Sequence, residues 1–124
     1  MHTDHAPKNP AESTVIAYYA AVDEGDTEGL VQLFDQDATY NRPGYDPIIG
    51  RTALTEFYNG TRVIASGDHT LNTVLSDESQ VAVAGTFNGR LKDGREITQN
   101  FADFFLFAGD LIVQRQTYFD APAI

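Results

Sequence analysis

The 124-residue sequence has no cysteine. That excludes disulfides, thiolate zinc sites and cysteine nucleophiles. Positive charge is scarce as well: lysine and arginine number 8 against 18 aspartates and glutamates, for a formal net charge of −10. Such a surface repels phosphate backbones and anionic lipid, so neither nucleic acid nor a membrane is an expected partner. No apolar run approaches the ~18 residues of a membrane span. The opening MHTDHAPKNPA lacks the hydrophobic stretch of a secretory signal, which makes the cytoplasm the expected location. Several chemistries drop out with their motifs. There is no GxGxxG, no P-loop, no GxSxG elbow and no HExxH, and no cluster of histidines and acids has metal spacing. No metal and no cofactor is therefore expected. His2 and His5 read as solvated, and the acidic run Asp23, Glu24, Asp26 and Glu28 reads as solvated surface and helix caps.

What is present is the balance of one folded domain, 42% hydrophobic and 21% charged. Residues 1–8 are polar and aperiodic and read as a disordered tail, with a single domain over 9–120 and a C-terminal tail over 121–124. Asn9 is a candidate N-cap, with Pro10 at the first helical position and Glu12 in capping-box spacing. Val15, Tyr18, Tyr19 and Val22 then recur as one apolar helix face, which Gly25 can end in a left-handed turn. Asp26 can cap a second helix with Leu30, Val31, Leu33 and Phe34 as its stripe. Residues 38–40 read as a short strand and 41–50, with two prolines and two glycines, as a loop. A third helix is expected from Arg51 to Gly60. From residue 68 the period becomes two. Strands are expected at 69–75, 80–91, 96–107 and 111–119, joined by short polar turns as an antiparallel meander. Helices followed by a sheet make an α+β plan with the helices on one face. In the strand 96–107, Phe101, Phe105 and Phe107 point one way and Phe104 and Leu106 the other. A sheet apolar on both faces needs cover on both, so its outer face is the expected surface of a homodimer.

Asp103 lies inside FADFFLF, on the face of Phe101 and Phe105. A carboxylate among aromatic rings is poorly solvated. It is a candidate proton donor at neutral pH, unless it faces solvent on a rim or pairs with an arginine such as Arg90 or Arg115 on a neighbouring strand. Tyr18, or Tyr19 beside it, can aim a phenol into an apolar cavity toward a developing oxyanion. His69 is the one histidine of the folded part, and is a candidate general base unless it simply sits at the surface. Tyr40 and Arg42 stand where the short strand meets the loop, and Arg42 suits an anionic substrate group. Phe57, Phe101, Phe105 and Tyr118 are the expected aromatic lining of a pocket.

The stretches YYAAVDEGDTEGLVQLFDQDATY, PIIGRTALTEFY, NGRLKDGR and FADFFLFAGDLIVQRQTYFD, in that order over about residues 12–120, resemble the NTF2-like superfamily. The likeness is strongest to its SnoaL-like and ketosteroid isomerase-like branches. It implies an NTF2-like (cystatin-like) cone in which three N-terminal helices pack on a curved antiparallel sheet around an apolar pocket, often as a dimer. Ketosteroid isomerases pair a tyrosine of the first helix with a protonated aspartate of a strand as an oxyanion hole; the matching places here hold Tyr18 and Asp103. The isomerase base is an aspartate shortly after the DAT element. That place holds Arg42, which is already charged and takes no proton. A limonene-epoxide hydrolase-like branch shares Tyr118-Phe119-Asp120, but the places of its Asp-Arg-Asp set hold Thr117, Ala84 and Thr86. The resemblance implies a pocket enzyme of the isomerase, cyclase or lyase kind. Its substrate would be a small apolar molecule with a carbonyl or enol oxygen, and His69 or a water would be the base. The alternative is a non-catalytic small-molecule-binding or dimeric accessory protein with the same fold.

Overall fold

The computed structural model describes residues 1–121; residues 122–124, most of the expected C-terminal tail, lie outside them. Helix α1 (Pro10–Glu24) begins where the Asn9 side chain accepts the Glu12 N–H at 2.9 Å, and ends at Gly25, whose φ of 73° a glycine adopts without steric cost. Val15, Tyr18, Tyr19 and Val22 form its buried face, as the spacing predicts. Helix α2 (Thr27–Val31), capped by Asp26, is shorter than the periodicity predicts. Phe34 leaves it to open strand β1 (Phe34–Asn41), which extends well beyond the short strand read from sequence. A parallel partner explains the difference. Strand β6 (Leu111–Phe119) supplies ladder hydrogen bonds to this segment, beginning with the Ile112 N–H to the Leu33 carbonyl at 3.0 Å.

The loop after β1 contains the short strand β2 (Ile48–Ile49), paired antiparallel with β1. Helix α3 (Gly50–Glu56) follows and runs into one π-turn, Phe57–Thr61, closed by the Arg62 N–H to the Phe57 carbonyl at 2.8 Å. Strands β3 (Ile64–Ser76), β4 (Gln80–Leu91), β5 (Glu96–Ala108) and β6 then form the meander the alternation predicts. The sheet has six strands in the order β2-β1-β6-β5-β4-β3. The plan is α+β, but the helices do not form one N-terminal block. β1 and β2 lie between the second helix and the third, because β1 completes the sheet beside β6.

The two faces of the sheet differ. Along β5, Phe101, Asp103, Phe105 and Phe107 are buried, whereas Phe104 is 51% exposed. Bulges at Asn72 in β3 and at Val113 in β6 bend those strands. Gly67 and Gly89 face each other across β3 and β4, and a Cβ on either would strike the ring of Phe87. The missing side chains leave the space in which that ring lies on the inner face. Residues 1–8, read as a disordered tail, lie against the domain. His2 exchanges backbone hydrogen bonds of 2.8 Å with His69 and Leu71 on the free edge of β3, and His5 Nε2 meets the buried Glu12 at 2.5 Å. No helix among the described residues is long and apolar enough to cross a membrane.

Candidate functional site

At the centre of the inner face stands Arg115, on β6 and almost wholly buried. Its Nη2 donates to Asp103 Oδ2 at 2.7 Å across the β5–β6 ladder. Its Nη1 donates to the Tyr18 hydroxyl and, at 3.2 Å, to that of Tyr58, and these two hydroxyls also meet each other. The guanidinium lies over the rings of Tyr40 and Tyr18, at 4.5 and 4.8 Å from their centroids. Asp103 is fully buried and accepts from Arg115, from the Tyr19 hydroxyl and from Thr117 Oγ1. It is an acceptor in every contact it makes, which is the role of a carboxylate balancing a buried cation. The expected proton donor is thus the counter-ion of Arg115, the arginine partner that the sequence left open.

Burial pushes the Tyr18 and Tyr19 phenols well above their usual range, more than Arg115 lowers them, and it pushes Tyr58 up as well. These three groups stay protonated as hydrogen-bond donors. For Tyr40 burial acts the same way, but the Arg115 and Arg42 guanidiniums outweigh it and hold the phenol below its ordinary value.

The second cluster joins α1 to β3. His69 Nδ1 lies 2.6 Å from Asp23 Oδ1, and the His69 backbone N–H donates to Asp23 Oδ2 at 2.7 Å. One carboxylate therefore grips both the backbone and the ring of one residue. With Nδ1–H donating to Asp23, the lone pair is on Nε2. Burial lowers the His69 pKa by more than Asp23 raises it, so the ring is neutral at pH 7. Burial would raise Asp23, but its bonds from His69 hold the carboxyl below its usual range. Phe87, Tyr19 and Phe101 pack around the imidazole with centroids 4.6, 5.0 and 5.4 Å away.

Both clusters border one interior cavity of about 30 Å³. Tyr18, Tyr58 and Arg115 line it, and so do His69, Phe101 and Arg42. Arg42 also donates to the Tyr40 hydroxyl at 3.2 Å. Of the residues expected at the site, Tyr18, His69, Arg42 and Phe101 meet at this cavity. Asp103, Tyr40, Phe57 and Phe105 are buried one layer behind it, with Phe57 packed on Tyr40 and under the Arg42 guanidinium. Tyr118 is not in the pocket: β6 alternation turns it to the outer face, 54% exposed, against Phe104. A larger, open hollow of about 470 Å³ lies on that outer face, between Leu75, Val81 and Phe104. Sequence reading missed Asp23, Tyr58 and Arg62. For Asp23 a signal existed: it stands four residues after Tyr19, on the same helix face. Among the described residues no group of three or more histidines and acids is placed to hold a metal ion.

A mixed sheet with helices over one face, closing on a buried polar cavity, defines the class of small α+β pocket proteins. The chain belongs to the SnoaL-like domain family, whose model matches residues 15–115. Its fold is NTF2-like. An NTF2-like protein of unknown function from Burkholderia pseudomallei superposes with a TM-score of 0.83 at 19% identity, covering 90% of this chain and 92% of that one. SalBIII, an epoxide hydrolase/cyclase-like enzyme of pyran ring formation in the polyether salinomycin, gives 0.78 at 23% identity over 88% and 89%. A putative polyketide cyclase from Xanthomonas campestris gives 0.76 at 18% identity over 90% of each chain.

Proposed function

We propose that the chain is a pocket enzyme of the isomerase, cyclase or lyase kind, in which His69 is the base and the Tyr18 and Tyr58 hydroxyls stabilise a developing oxyanion. One observation carries this reading. A single cavity has a neutral, carboxylate-oriented imidazole on its wall together with phenols that a buried guanidinium polarises. Enolisation needs that pair of functions: a base for the proton beside a carbonyl, and donors for the oxygen that gains charge as the proton leaves. His69 Nε2 takes the proton from carbon, and the carbonyl oxygen becomes an enolate that accepts from Tyr18 and Tyr58, whose hydroxyls give up their bond to each other to hold it. Returning the proton to a different carbon completes an isomerisation. Attack of the enolate on a second carbonyl closes a ring, and loss of a leaving group gives an elimination. His69 thereby takes the part of the family aspartate, whose place Arg42 occupies. The substrate is a small, largely apolar molecule with a carbonyl or enol oxygen. The cyclase-type neighbours support this reaction class.

Exchange of carbon-bound protons for deuterium tests the proposal without the natural substrate. The protein in D2O is expected to accelerate loss of the α-proton NMR signal of phenylacetone, and His69→Gln to lower that acceleration by about 10²–10⁴-fold. Exchange at the buffer rate with the wild-type protein would sink it. The small cavity favours a second reading, a binding or accessory protein whose own side chains fill the site. For that reading, as for the enzyme, we place a homodimer contact on the outer sheet face, where Leu75, Phe104 and Tyr118 are exposed.

A further inference from the structure

The cavity has a neck. An outer cleft of about 390 Å³ lies beside it, bordered by the α1–α2 turn, the π-turn and the start of β3. Cleft and cavity share Val22, Tyr58, Arg62, Ile64 and Phe87. Arg62 follows directly on the π-turn, a backbone irregularity that recurs at functional sites. Its guanidinium lies 5.5 Å from the centroid of Tyr58, and its Nε is buried without a hydrogen-bond partner. Of the two acids that border the cleft, Asp23 holds His69 and the Met1 ammonium, while Glu24 is exposed at the end of α1; Asp103, behind the cavity, holds Arg115. Arg42, Arg62 and Arg115 all line this one cavity in a chain with only 8 basic residues and a charge of −10. Cation is thus concentrated where the overall field would otherwise repel an anion.

We infer that the substrate carries a carboxylate or an equivalent planar oxyanion, and that Arg62 holds this group at the neck while the carbonyl reaches the inner cavity. The inference rests on the enolising-pocket reading and adds the substrate's charge and its route of entry. A guanidinium presents paired N–H donors to two oxygens at once, and the unpartnered Nε is one of the donors such a grip uses.

Phenylpyruvate and its neutral amide, phenylpyruvamide, are matched probes for the full-length protein. In an NMR titration the anion is expected to bind about tenfold more tightly than the amide, the scale of one charge-assisted hydrogen bond. Arg62→Gln is expected to abolish that preference, bringing the affinity for the anion down to that for the amide, while Arg62→Lys keeps part of it. A preference that survives Arg62→Gln, or equal affinities in the wild type, overturns the assignment. If His69 and Tyr18 signals still move in that case, the pocket reading stands alone. Anion-selective, Arg62-dependent binding that moves no cavity signal upholds the anion site and sinks the pocket reading. Absence of binding by either probe overturns both.

Discussion

Two buried acid–base pairs lie on the inner side of this sheet, and they differ in what they leave available. Asp103 and Arg115 meet at 2.7 Å, and every further contact of Asp103 is another donor to it. Asp23 and His69 meet at 2.6 Å, but the carboxylate occupies only one ring nitrogen. The first pair holds charge in place; the second keeps a lone pair beside a cavity. Burial and a close partner therefore do not identify a reacting group. The valence left over does.

Breaking the first pair is expected to have the largest effect. Asp103→Asn strands a buried guanidinium and is expected to cost about 3–5 kcal/mol of stability in urea unfolding. Replacing both partners by apolar residues, Asp103→Leu with Arg115→Met, is expected to recover most of that loss. A double variant no more stable than the single one would contradict the counter-ion role. Tyr18→Phe removes an oxyanion donor from the cavity and is expected to cost about 2.7–4 kcal/mol in the activation barrier for proton exchange.

Breaking the second pair is expected to act on the pH profile more than on the fold. Asp23 raises the His69 pKa against burial, so Asp23→Asn is expected to move the acid limb of the exchange rate to lower pH. An unmoved limb would show that Asp23 does not set the imidazole's charge. The smallest effect is on stability against acid. The His69 pKa is lower in the folded chain than its ordinary 6.5, so its contribution is present above that value and is lost as pH falls from about 6.5 toward the folded pKa. Asp23 has the same sign, with its window below 3.8. The onset of acid destabilisation near pH 6.5 is expected to vanish in His69→Gln, as measured by thermal unfolding against pH.

The same contrast marks how far the sequence could be read. Alternation along β5 put Asp103 inside with Phe101 and Phe105, and the spacing of α1 put Tyr18 and Tyr19 inside; both are local periodicities. Which of two adjacent tyrosines reaches Asp103 depends on the roll of α1 over the sheet, and it is Tyr19 that does. β1 beside β6 and Asp23 beside His69 are contacts between distant segments, and no local pattern encodes them. Asp23 also hid within a run of acids that looked like solvated surface, although its side chain is only 7% exposed. Tyr118, expected among the aromatic lining, fails for a different reason: with Arg115 and Thr117 inside, alternation along the end of β6 puts its ring on the outer face.

The state of one imidazole decides between these roles most directly. Nitrogen-15 NMR of His69 at pH 7 should find a neutral ring with its proton on Nδ1 and an unprotonated Nε2, titrating below the ordinary histidine value. An imidazolium at pH 7, or a proton on Nε2, would leave the cavity without its base and contradict the account.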